Sequence, residues 1–162
     1  MLIPVKEMQG EDEEDTRLLK EMAERARNYI TSFPWCLPIS AVYFAYGIGK
    51  IVALFLFEFD GKIGGTDDKL WVVVGDLPSV YMVVEPNQSA RGVLESYCWL
   101  MDDWVSAVRD GDFEGVYPVT AARTEEHADM LERRLAMLRQ DISPEAPSEL
   151  INAPDDEKPS AE

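Results

Sequence analysis

Three side chains carry most of the reactive chemistry in this sequence. They are Asp76, Cys36 and His127. Asp76 sits in the stretch LWVVVGDLPSVYMVV, where two apolar β-branched runs flank Gly75-Asp76-Leu77-Pro78-Ser79. A carboxylate at the end of a sheet can serve as a ligand or an acid–base group. The same residues also suit a tight turn. Pro78 fixes its own φ and biases Leu77 toward an extended backbone. The side chains of Asp76 and Ser79 can each bond a local amide. The turn is the preferred reading. Gly75 belongs to no G-x-G-x-x-G or phosphate loop, since no helix follows it.

Cys36 lies between Trp35 and Leu37 in a linker bounded by Pro34 and Pro38. A catalytic thiol needs a base or positive potential to hold its thiolate. His127 is the single histidine, and its spacing with Leu131 and Leu135 suggests packing at the core edge. Nothing in the sequence brings it to Cys36. Buried structural thiols are the expectation for Cys36 and Cys98. With no C-x-x-C pair, a thioredoxin-type couple has no support.

One histidine and two distant cysteines do not make a zinc set. Asp110, Asp112, Glu114 and Gly115 imitate the first half of a calcium loop. The twelfth position is Ala121, where a bidentate carboxylate is required. Asp67-Asp68 reads as two solvated loop acids. No metal and no cofactor is therefore expected, and no confident catalytic residue. The motifs G-x-S-x-G, H-E-x-x-H and S-x-x-K are absent from the sequence.

Charge narrows the partners. The 162 residues carry a net charge of −16, of which −5 lies in residues 1–15 and −5 in residues 142–162. Such a chain repels phosphates and anionic headgroups, so nucleic acid and membrane surfaces are not expected partners. Basic residues do not cluster with aromatics. Solubility alone accounts for much of the charge, and a basic protein is the partner it favours. Leu37–Phe57 is apolar enough to raise a membrane span, but Pro38, Gly47, Gly49 and Lys50 interrupt it. Buried strands are preferred. Two thiols and the lack of an opening signal segment point to the cytoplasm.

These residues need elements to position them. From Asp15 to Phe33 the apolar residues Leu18, Leu19, Met22, Ala26, Ile30 and Phe33 recur at helical spacing, with Asp12 or Asp15 as cap. Residues 39–46 form a short strand or remain irregular. Lys50–Phe59 is a strand apolar on both faces, with Ile51, Ala53, Phe55, Phe57 and Phe59 opposite Val52, Leu54 and Leu56. Leu70–Val74 and Val80–Val84 pair as a hairpin. Ser89–Arg109 is the clearest helix, with Glu95, Asp102, Asp103 and Arg109 on its wet side. Val116–Val119 reads as an edge strand or a link. Thr124 caps a last helix striped by Leu131, Leu135 and Leu138. The aromatics, Trp99 and Trp104 among them, read mainly as core filling.

At GIGKIVALFLFEFDGKIGGTDDKLWVVVGDLPSVYMVV, followed by ESYCWLMDDWVSAVRDG, the chain resembles a family of small uncharacterised bacterial proteins, a domain of unknown function. The likeness spans roughly Thr31–Gly111. It implies a bacterial cytoplasmic origin and no activity, and it brings no catalytic residues.

The reading is an α+β domain over residues 13–142, with an antiparallel sheet of three to four strands packed against about three helices. Residues 1–12 are expected as a flexible acidic leader and 143–162 as a disordered acidic tail. The expected function is a non-enzymatic protein-interaction module, such as an acidic antidote or regulator of a basic partner, or one that self-associates. The alternative is a small-molecule binder or hydrolytic enzyme with a pocket between sheet and helices. Asp76, Cys36 and His127 are the only polar candidates for it.

Overall fold

A strand that is apolar on both faces must be covered on both sides. That requirement organises the protein. The computed structural model describes residues 2–48, 51–145 and 151. Five strands form one antiparallel meander in chain order: β1 Ile3–Pro4, β2 Ile39–Ile48, β3 Val52–Ile63, β4 Asp67–Gly75 and β5 Val80–Val83. β3 lies at the centre, pairing Phe55 with Phe44 on β2 and with Val72 on β4.

Alternation sorts the sheet residues into two layers. Ala53, Phe55, Phe57, Val72 and Val74 face α1, Glu13–Thr31. Leu19, Met22, Ala26 and Ile30 of α1 complete that layer. Val52, Leu54, Leu56, Trp71, Val73 and Val80 face the other way. There α2, Ala90–Asp110, and α3, Glu125–Glu145, pack side by side. Phe55 and Phe57 are fully buried, each contributing about 1.5–3 kcal/mol of transfer free energy.

The helix ends follow local chemistry. Asp12 caps α1 by accepting from the Asp15 amide. Ser89 caps α2 through the Gly92 amide, and Gly111 ends it in the left-handed region. The Thr124 side chain accepts from the His127 amide at the start of α3. Across the helix pair Arg109 reaches Glu125, Asp129 and Glu132, and Arg139 pairs with Asp102.

Several expectations change. The sheet has five strands rather than three to four, because residues 39–48 form a full strand and β1 adds an edge. The two-residue β1 lies within the expected leader, residues 1–12, and Met8 beyond it is buried. Of the expected tail 143–162, α3 continues to Glu145 and the Ile151 amide donates to the Gln88 carbonyl. The rest lies outside the described residues, as does Lys50, the expected start of β3. Val116–Val119 is a link and not a strand. Leu37–Phe57 supplies sheet strands, and no described helix is long and apolar enough to cross a membrane.

Candidate functional site

The β4–β5 turn, Gly75–Ser79, is where all three helices meet the sheet end. Gly75 has φ +150°, and a Cβ there would stand 2.2 Å from the Ile51 carbonyl oxygen. Only glycine permits so close an approach. The Asp76 amide donates to that same oxygen at 3.0 Å. Arg25 of α1 donates through Nη2 to the Gly75 carbonyl at 3.0 Å. The Tyr97 hydroxyl of α2, itself buried, donates to the Pro78 carbonyl at 2.7 Å. From α3, Arg134 Nε lies 3.6 Å from Asp76 Oδ2.

The Asp76 carboxylate therefore turns toward α3. Among the described residues neither it nor the Ser79 hydroxyl closes the local side-chain turn that the sequence suggests. Backbone and helix contacts hold the turn instead. Its outer side, with α3, forms a cleft of about 310 Å³. Leu77, Trp104 and Leu131 are buried around it, and Asp76, Thr120, His127 and Arg134 add polar groups.

His127 does not pack at the core edge as its spacing suggests. It is exposed, because it occupies the first turn of α3 while Ala128 and Leu131 take the buried stripe. Its Nδ1 lies 2.7 Å from Thr124 Oγ1. That oxygen also accepts from the His127 amide at 3.2 Å, and because a hydroxyl oxygen keeps a second lone pair, either partner of the Oγ1–Nδ1 contact can supply its proton.

Cys36 is brought to neither group. It is half-buried against the α1-side layer, where its Sγ donates to the Leu37 carbonyl at 3.3 Å. α3, with His127, packs on the opposite face of the sheet. Burial raises the Cys36 thiol above its ordinary pKa and pushes Cys98 up to about 11. Both cysteines are free thiols, one associated with each layer. Among the described residues no group of three His, Cys, Asp or Glu could hold a metal ion. In the calcium-like segment the Asp112 side chain accepts from the Glu114 amide, an Asx turn.

A second feature lies on the outward side of α2. Trp99 is 68% exposed. Glu95 and Asp103 stand four residues to either side on the same ridge, and Asp102 three residues on. Glu95 and Asp103 form no ion pair with any described residue, whereas Asp102 is held by Arg139. Core filling accounts for Trp71 and Trp104, which are buried, but not for Trp99. Its signal was in the spacing: it falls between Glu95 and Asp103 on the wet side of the helix. Arg134 carried no such signal, since only folding sets it against Asp76.

Fold and site together define a three-layer α+β sandwich with an antiparallel meander at its centre, a cleft at one sheet end and an exposed aromatic on an acidic helix face. No protein-family profile matches the sequence, and no curated protein or solved structure is significantly similar to it.

Proposed function

We infer that the chain is a protein-interaction module that docks a basic partner on the outward face of α2. The observation that carries this reading is Trp99, 68% exposed within the frame of Glu95, Asp102 and Asp103. Tryptophan is the residue type that most often anchors an interface, and its ring face attracts lysine and arginine side chains. Carboxylates at four-residue spacing on both sides add complementary charge, and the net charge of −16 steers a basic protein toward the surface. A binding role also suits the separation of Cys36 from His127, and two free thiols suit a reducing cytoplasm.

The test is co-purification of the tagged protein with its bacterial partners at about 50 mM and 500 mM salt. The wild type is compared with W99S and with E95K/D103K. A stoichiometric basic protein should be retained at low salt, released at high salt, and lost from both variants. Truncating an interface tryptophan costs about 2 kcal/mol or more, roughly thirtyfold in affinity. Retention of the same partner by both variants, or of no basic protein by the wild type, would refute the reading.

A further inference from the structure

We propose that the cleft between the β4–β5 turn and α3 is a binding site for a small apolar α-amino acid. Its volume of about 310 Å³ lies at the small end of ligand pockets. Its chemistry has three parts in the places a zwitterion needs. The side-chain part is apolar: Leu77, Trp104 and Leu131 are all buried, and Met130 and Pro78 extend the lining. The cationic part is Arg134, which is 42% exposed. The anionic part is Asp76, which is 69% exposed.

Asp76 and Arg134 leave most of their bonding capacity unused. A guanidinium has five N–H donors in a fork that matches a carboxylate. Among the described residues the Arg134 guanidinium makes no hydrogen bond, and its closest approach is a loose ion pair, Nε to Asp76 Oδ2 at 3.6 Å. Among the described residues neither Nη of Arg134 nor Oδ1 of Asp76 has a hydrogen-bond partner. His127 lines the same cleft with its Nδ1 engaged by Thr124, which leaves Nε2 as its second polar atom there. The Thr120 hydroxyl adds another polar group.

An α-amino acid bridges this arrangement. Its carboxylate takes the Arg134 fork, its ammonium takes Asp76, and its side chain covers Leu77 and Leu131. A simple carboxylate would leave Asp76 facing the ligand unpaired, and a simple amine would leave Arg134 so. The site thus selects the molecule that carries both charges on neighbouring atoms. It lies apart from the outward face of α2, so it stands whether or not that face docks a partner.

The experiment is amide-resolved NMR titration of the full chain with L-leucine, leucinamide, 4-methylpentanoate and L-glutamate. Leucine at millimolar concentration should shift the amides of Gly75, Asp76, Leu77 and Ser79 and of His127–Arg134. Leucinamide, which lacks the carboxylate, and 4-methylpentanoate, which lacks the ammonium, should each bind about tenfold more weakly. Glutamate should bind more weakly still. R134Q should lower leucine affinity about tenfold, and D76N should remove the preference for leucine over 4-methylpentanoate. Both residues are surface-exposed, so the variants test binding and not folding. No leucine shifts at those amides, or equal affinity for leucine and the two single-charge analogues, would overturn the proposal.

Discussion

Replacing Gly75 by alanine tests how the β4–β5 turn is built. The new Cβ would stand 2.2 Å from the Ile51 carbonyl oxygen, 2.8 Å from Val52 Cα and 2.9 Å from the Ile51 carbonyl carbon. All three are backbone atoms of the facing chain, so no rotamer change relieves the overlap. The φ of +150° adds strain for any residue with a side chain, of order 1–3 kcal/mol. Relief requires the β3 and β4 ends to separate, which loosens the bond from the Asp76 amide to Ile51 at about 1 kcal/mol. The sum is about 2–4 kcal/mol, or a fall in Tm of about 5–15 °C for a chain of this size. Urea denaturation followed by circular dichroism and tryptophan emission measures it. Gly64 is the control: it also has positive φ, +63°, but no atom lies within 4 Å of its Cβ position. G64A should cost only ~1 kcal/mol from conformation. Equal destabilisation by G75A and G64A would refute the claim that close backbone approach fixes Gly75.

Three further outcomes are expected. Gln88 Oε1 accepts from Trp71 Nε1 and from the Glu85 amide, both at 2.8 Å; Q88L strands the donor of a buried tryptophan and should cost about 1–3 kcal/mol in denaturant midpoint analysis. Arg109 joins α2 to Glu125, Asp129 and Glu132 on α3, so R109A should lower Tm at low salt and less so at high salt, since exposed pairs are screened. Burial raises the pKa of Cys98 to about 11 and pushes Tyr29, Tyr97 and Tyr117 up as well. These groups hold their protons longer when folded. Their stabilisation is complete below the unfolded pKa values near 9 and 10, and is lost as pH rises through the folded values. Unfolding free energy should therefore fall above about pH 9, in step with tyrosinate absorbance, and a flat profile to about pH 11 would refute it.

Much of the architecture was legible along the chain. Two-residue alternation through Val52–Phe59 announced a strand buried on both faces, and the protein covers it on both. Helical spacing placed α1 and α2, and of the two offered caps Asp12 and Asp15 the helix α1 uses Asp12, because such signals act over one or two turns of local backbone. The strand at 39–48 was ambiguous for the opposite reason. A short apolar run has no decisive period, and pairing with β3 is what settles it. β1 is harder still, since two residues gain strand geometry only from a partner more than thirty positions away.

The candidate site divides in the same way. Asp76 drew notice because Gly-Asp-x-Pro between apolar runs forces a turn with an acid on it, a local fact. The sequence also set the acidic balance and the surface position of Glu95 and Asp103. Whether Asp76 bonds its own turn or a distant cation depends on α3 arriving beside the sheet end, which brings Arg134 to 3.6 Å. The same packing of α3 places His127 in that cleft and leaves Cys36 with the opposite layer. Periodicity fixes which face of an element is apolar, but helices cross the sheet wherever their apolar stripes fit. That fit between surfaces far apart in the chain decided which polar side chains stand together.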